Sequence, residues 1–177
     1  MRIIAGTHRG RRLETPKGAS TRPTADRVRE AVFSILGSVE GARVLDLFAG
    51  SGAMGLEALS RGAASCRFVE RDRRACRVIE QNLARLRFMG GTVVCGDAVR
   101  ALREDVVRGR RSDLVLVDAP YKEWGAHEPA LVELLPDVLE PGGLAVVETA
   151  AGLEPALPLA LVTTRRYGSA RITVYSR

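Results

Sequence analysis

The stretch Arg43-Val44-Leu45-Asp46-Leu47-Phe48-Ala49-Gly50-Ser51-Gly52-Ala53-Met54-Gly55 decides the fold. Residues 43–48 are a short, largely apolar run, the pattern of a buried strand. Gly50-Ser51-Gly52 then makes a tight turn, and a helix is expected to about Arg61. Strand, glycine turn and helix open a βαβ unit, and Gly50, Gly52 and Gly55 match G-x-G-x-x-G. The alternation continues downstream. Cys66–Glu70 reads as a second strand, Asp72 caps a long helix to about Phe88, and Thr92–Cys95 is a third strand. A helix follows to about Val107, then a fourth strand, Asp113–Val117, ending at Asp118. A helix from about Glu128 to Leu139 leads through Pro141-Gly142-Gly143 to a fifth strand, Leu144–Glu148. Two extended pieces, 160–166 and 170–175, have no helix between them and are expected to pair antiparallel. The fold class is therefore α/β: a mostly parallel seven-stranded sheet with helices on both faces.

Upstream, Arg2-Ile3-Ile4 and Arg11-Arg12-Leu13-Glu14 flank a turn containing Gly6 and Gly10, the pattern of a short hairpin. Residues 15–23 read as a loop. Thr24 is a candidate N-cap for a helix to about Leu36, with Val28, Val32, Ile35 and Leu36 as its apolar stripe. No repeat or linker divides the chain. One domain over 1–177 is expected, with a basic hairpin and loop extension over 1–23 and a helix plus catalytic core over 24–177.

The 177 residues are 46% hydrophobic and 27% charged, which suits one globular domain and excludes a disordered chain. No apolar run approaches the roughly 20 residues of a membrane span. Met1–Gly6 has no apolar signal core, so export is not expected. Cys66, Cys76 and Cys95 fit neither a disulfide framework nor a zinc site, so neutral thiols and no metal are expected. The net charge is +6. Within residues 1–30, Arg2, Arg9, Arg11, Arg12, Lys17, Arg22, Arg27 and Arg29 face only Glu14, Asp26 and Glu30. The excess is thus local, the footprint of a polyanion site.

In open α/β sheets ligands bind at the carboxyl ends of the strands. Asp46, Glu70, Asp97 and Asp118 lie in or just beyond those ends. The glycine turn alone fits a nicotinamide dinucleotide or S-adenosylmethionine. Asp46, four residues before Gly50, suits a cationic amino-acid tail better than a pyrophosphate, because like charges repel. Glu70 is placed for ribose hydroxyls and Asp97 for the adenine amine.

Asp118-Ala119-Pro120-Tyr121 follows the fourth strand. It resembles the (Asp/Asn)-Pro-Pro-(Tyr/Phe) motif of methyltransferases that act on exocyclic amino groups. Such a nitrogen is a poor nucleophile because its lone pair is delocalised into the ring. A carboxylate and a backbone carbonyl that accept its N–H bonds favour a pyramidal nitrogen, and an aromatic ring holds the base. Ala119 departs from the motif: it keeps the carbonyl and loses the fixed φ of proline, while Pro120 still biases it toward extended backbone.

Taken together, the chain resembles the bacterial 16S rRNA guanine-N2 methyltransferase family, the one named for guanine 966. The resemblance rests on 2–6, 10–13, Arg22-Pro23-Thr24-Ala25-Asp26-Arg27-Val28-Arg29-Glu30, 45–52, 55–61 and 118–121. It implies a monomeric, cytoplasmic, Rossmann-like enzyme using S-adenosylmethionine on a guanine of the small subunit or its assembly intermediate, without metal or membrane. It implies that Asp46, Phe48 and the turn Ala49, Gly50, Ser51 and Gly52 hold the methionine part. Glu70 and Arg71 would hold the ribose side, Asp97 and Ala98 the adenine, and Thr24 would close over the cofactor. Asp118, which also borders the cofactor, would hold the target base with Ala119, Pro120 and Tyr121. Arg2, Arg9, Arg11, Arg12, Arg22, Arg27, Arg29 and Arg171 would contact RNA, so cutting residues 1–20 is expected to weaken RNA binding alone. A DNA adenine-N6 methyltransferase, a nicotinamide dehydrogenase and a non-catalytic, cofactor-binding ribosome assembly factor are the alternatives. His8 and His127 are expected at the surface, and Trp124 either lines the base pocket or packs its loop.

Overall fold

The computed structural model describes residues 1–16 and 23–177. Lys17, Arg22 and the side chain of Thr24, with the roles expected of them, lie outside the described residues.

Seven strands form one sheet in the order β3-β2-β1-β4-β5-β7-β6. They are β1 (Arg43–Leu47), β2 (Ser65–Glu70), β3 (Gly91–Cys95), β4 (Ser112–Val117), β5 (Leu139–Ala150), β6 (Ala160–Tyr167) and β7 (Ala170–Ser176). Pairing is parallel from β3 through β5, and β7 is antiparallel to both β5 and β6. The chain winds outward from β1 to β3, then restarts at β4 on the other side of β1. That reversal opens a crevice at the carboxyl ends of β1 and β4.

Helices α1 (Pro23–Leu36), α2 (Ala53–Ser60), α3 (Arg73–Leu86), α4 (Ala98–Val107) and α5 (Trp124–Val138) cover the sheet. Side chains alternate along a strand, so each parallel strand feeds two cores. Val44, Phe68, Leu116 and Val146 pack with Val32 and Phe33 of α1, Leu56 of α2 and Ile79 and Leu83 of α3. Leu45, Leu47, Val69, Val115 and Val147 pack with Leu102 of α4 and Leu131 and Leu135 of α5. Among the described residues, no helix is long and apolar enough to cross a membrane.

The first helix starts at Pro23, which places the expected cap Thr24 inside it, and two boundaries differ from the sequence reading by more than two residues. The fifth helix starts at Trp124 rather than Glu128. Pro129, a residue favoured in first turns, lies inside it, while the preceding 3-10 turn Tyr121–Glu123 and buried Trp124 set the true start. β5 begins at Leu139, because Glu140–Gly143 bulge between the pairs Ser112↔Leu139 and Leu114↔Leu144.

The segment expected as an extension is built into the core. Ile3 and Leu13 are 1% and 6% exposed and pack in the cluster beneath α1, α2 and α3. The hairpin holds one bridge, Arg2↔Arg12, with the Ile3 N–H donating to the Arg11 carbonyl at 2.9 Å. The Gly10 and Leu13 N–H groups also donate within it, to the Ile3 and Met1 carbonyls at 2.9 and 3.0 Å, and further polar groups bond to helices. The Ile4 and Ala5 N–H groups donate to the fully buried Glu57 carboxylate at 2.8 and 3.0 Å. Ser60 Oγ donates to the Ala5 carbonyl at 2.6 Å, and the Thr7 N–H donates to the Ser60 carbonyl at 2.8 Å. Asn82 of α3 bonds both backbone groups of Glu14. Gly6 is required there: its φ is +82°, and a Cβ would stand 1.8 Å from the Ser60 carbonyl oxygen. Cutting residues 1–20 would therefore strip core side chains as well as basic ones.

Candidate active site

β1 delivers Asp46 and then turns sharply. Phe48, Gly50 and Gly52 all have left-handed φ, at 59°, 55° and 76°, and the Gly52 N–H closes the turn on the Ala49 carbonyl at 2.7 Å. Gly55 serves packing: a Cβ there would stand 2.3 Å from Phe68 and 2.5 Å from Cys66 Sγ. Asp46 lies beneath the turn at 3% exposure, with Oδ2 accepting the Gly55 N–H at 2.9 Å. Burial pushes its pKa up to about 7, opposed by the Gly55 bond and helped by the charge of Glu70.

Glu70, at the end of β2, accepts the Gly50 N–H through Oε2 and the Asp72 N–H through Oε1, both at 2.8 Å. These bonds fix its carboxylate against the glycine turn. Arg71 forks onto Glu123, with bonds of 2.9 and 2.8 Å, and so ties the end of β2 to the turn before α5. Asp97 caps α4, accepting the Arg100 N–H at 2.9 Å.

A cavity of about 350 Å³ opens between these elements, within the range of small-molecule sites. Of the expected cofactor residues, Phe48, Gly50, Glu70, Arg71, Asp97, Ala98 and Asp118 line it. Asp46, Ala49, Ser51 and Gly52 are not among its lining residues. His127 lines it too, its ring 4.8 Å from that of Phe48, so it is partly buried rather than at the surface. The helix start expected at about Glu128 concealed this placement. The lining fits S-adenosylmethionine: apolar Phe48, Val69, Ala98 and Pro120 suit an adenine, and the carboxylates suit a cationic ligand. Among the described residues, Arg71 is the one basic lining residue of fixed charge, and Glu123 already pairs with it, which disfavours a pyrophosphate.

Beside the cavity, β4 ends at Asp118. Solvent reaches Asp118, yet desolvation by the surrounding protein, then the charges of Glu148 and Asp46, raise its carboxyl well above the usual range. The parallel register Val117↔Val147 sets Glu148 of β5 next to Asp118. The Tyr121 hydroxyl donates to Glu148 at 2.9 Å. Sequence reasoning missed Glu148, since only the β4–β5 pairing brings it here. Ala119 and Trp124 are buried in the α4–α5 core, so Trp124 packs the loop and does not line the cavity.

Arg2, Arg9, Arg11, Arg12 and Arg27 are exposed as expected of phosphate ligands. Arg29 and Arg171 need correction, since they are 2% and 4% exposed. Arg29 donates to the Arg2 carbonyl at 2.6 Å and to Asp26 at 3.1 Å, and its Nε lies 3.6 Å from Glu57. Arg171 bonds the Ala151 carbonyl and pairs with Glu154 at 2.8 Å. Their fixed charges anchor the hairpin and the last strand instead of RNA.

One pH dependence follows from Asp46. Below about pH 7 the folded free protein holds a proton there that the unfolded chain loses near the ordinary value of 3.8, so stability falls as pH rises toward about 7 and this contribution is gone above it. A cationic ligand favours the carboxylate. S-adenosylmethionine affinity is expected to rise with pH through about 7, with proton release measurable by calorimetry in buffers of different ionisation enthalpy. A flat profile with no proton release would remove Asp46 from cofactor binding.

Comparison with known proteins agrees with this geometry. The family model described as Conserved hypothetical protein 95 matches residues 1–176. Ribosomal RNA small subunit methyltransferase D of Escherichia coli strain K12 is 42% identical over 138 residues, covering 77% of this chain and 67% of that protein. A Bacillus subtilis protein provisionally named rRNA methyltransferase YlbH is 40% identical over 184 residues, covering 100% of this chain and 99% of its own. The solved structure of yhhF from Escherichia coli, provisionally named a methyltransferase, superposes with a TM-score of 0.88 at 37% identity, covering 100% of this chain and 97% of that one. SMU.776, a structure complexed with SAH, shares the fold at 16% identity with a TM-score of 0.71, covering 85% of this chain and 48% of that one. The full-length family match and the carboxylate-lined crevice converge: the chain belongs to the conserved hypothetical protein 95 family, that of the ribosomal RNA small subunit methyltransferases D.

Proposed function

We propose that the protein methylates the exocyclic N2 amino group of a guanine in 16S rRNA of the small ribosomal subunit. The observation that carries the guanine reading is the pair of carboxylates, Asp118 and Glu148, with Tyr121 bonded to the second. A guanine edge presents N1–H and N2–H donors side by side, which two acceptors suit. Adenine places an acceptor, N1, beside its amine, and a carboxylate there would repel it.

When bound, S-adenosylmethionine supplies an electrophilic methyl group on a positively charged sulfur. Phe48, Glu70, Asp97 and Ala98 hold and orient it, and Asp46 supplies the opposing charge. Asp118 and the Ala119 carbonyl accept the amino hydrogens of the base and aim the nitrogen lone pair. Asp118, which accepts an amino N–H, is also placed to take the proton that the methylated nitrogen loses. Tyr121, 39% exposed at the mouth, offers its ring to the base. A base inside folded RNA must be unstacked to reach this point, at about a few kcal/mol. In this reading the enzyme works in the cytoplasm, as a monomer, on the subunit or an assembly intermediate.

The test is transfer of labelled methyl to unmethylated small subunits, followed by nuclease digestion. One N2-methylguanosine per subunit is expected. Label appearing as N6-methyladenosine in duplex DNA would favour the DNA reading. Bound cofactor with no transfer would favour a non-catalytic assembly factor.

A further inference from the structure

We propose that a recess between the hairpin and the end of α3 binds the sugar-phosphate backbone of RNA flanking the target base, at the end of the molecule opposite the active site. The proposal rests on the rRNA methyltransferase reading.

The recess, about 440 Å³, is lined by His8, Arg11, Arg12, Arg85, Leu86 and Arg87, with no acid among them. Arg85 is already oriented: it donates to Asn82 Oδ1 at 3.0 Å and to the Arg12 carbonyl, and Glu14 lies 3.9 Å away. Arg11 and Arg87 are exposed, and among the described residues neither guanidinium has an acidic partner. The His8 ring lies 4.3 Å from that of Phe88, which steadies an aromatic surface at the edge of the recess. Arginine forks beside an aromatic ring suit phosphates and unstacked bases better than the carboxylates of an acidic protein.

Backbone strain points the same way. Arg87 caps α3 with φ 57°, a left-handed conformation that normally selects glycine or asparagine. A chain that only needed to end this helix would be better served by either residue. The long cation at this position aims a charge at the recess.

The recess also has a defined place relative to the crevice. α3 starts at the carboxyl end of β2 and runs 14 residues, about 21 Å, to Leu86. The hairpin runs alongside. Ser51 of the glycine turn approaches Met1 at 3.7 Å, whereas Thr7 bonds Ser60 at the far end of α2. A second basic recess, lined by Met1, Arg2, Arg12, Leu13 and Asp26, shares Arg12 with the first and lies nearer the active site. Arg12 stands between the two recesses and borders both. RNA gripped at the first recess lies about the length of α3 away from the carboxyl end of β2.

The test is the double substitution Arg11→Ser with Arg87→Asn. Asparagine tolerates a left-handed φ, so the fold is retained and the melting temperature is expected to stay or rise. The affinity of the variant for unmethylated small subunits is read across a salt series. About a tenfold loss is expected, with the log–log salt slope shallower by roughly 1.4–1.8, the loss of two phosphate contacts. KM for the subunit rises while kcat and cofactor affinity stay within about twofold, and Arg103→Ser on the opposite face changes none of these. An unchanged affinity and slope in the double variant, with normal wild-type methylation, would overturn the proposal and leave the recess to another partner. Failure of the wild-type protein itself to bind or methylate subunits would overturn the functional reading, and this proposal with it.

Discussion

Asp118→Ala is expected to lower methyl transfer by about 10³-fold while changing S-adenosylmethionine affinity by less than about threefold. The magnitude is that of losing one preorganised polar group aimed at the reacting centre. Two effects combine. The acceptor that orients the amino nitrogen is gone, and so is the group positioned to receive its proton. Cofactor affinity falls little because Asp118 is one of several lining residues and Glu70 and Asp97 remain. Asp118→Asn keeps an acceptor oxygen and is expected to lose less, about 10–100-fold. Single-turnover transfer and cofactor titration separate the two quantities. Near-normal turnover in the alanine variant would take Asp118 out of the mechanism and shift attention to Glu148, its neighbour across β4 and β5.

The second large effect concerns folding. Glu57→Ala is expected to destabilise the protein by about 3–5 kcal/mol, the range for breaking a buried charge pair. The Glu57 side chain is fully buried and accepts from Ile4 N–H, Ala5 N–H and Arg61 Nε, with Arg29 Nε 3.6 Å away. Removing it leaves two backbone donors without partners and the buried Arg29 guanidinium without this carboxylate. For a chain of this size the melting temperature drops on the order of 10 °C. The hairpin also becomes a preferred site of limited proteolysis. Glu57→Gln retains acceptor capacity and is expected to lose roughly half as much. A shift below about 2 °C in the alanine variant would mean that the hairpin docks by its apolar side chains alone.

The legible parts were those written in local pattern. The strand–glycine–helix run around Gly50 and the Asp72 cap, which accepts the Arg74 N–H at 2.7 Å, are set by neighbours in sequence. So is the placement of Asp46, Glu70, Asp97 and Asp118 at successive strand ends. What escaped depends on distant pairing. Glu148 reaches the site only through the β4–β5 register, and His127 only because its helix begins at Trp124, four residues before the expected Glu128. Glu57 reads as an ordinary helical acid until the hairpin covers it. Arg29 and Arg171 look like free charges in a basic chain, and only tertiary packing reveals their carbonyl and carboxylate partners.

The two-sided hairpin carries a consequence for how substrate choice can change. Its inward residues, Ile3 and Leu13, are foundation, while its outward arginines face the solvent. On the proposed reading, recognition by these arginines is not a detachable module that recombination could swap between enzymes. New RNA targets are accessible by point substitution on the outer surface alone, one guanidinium at a time, with the inner surface held constant.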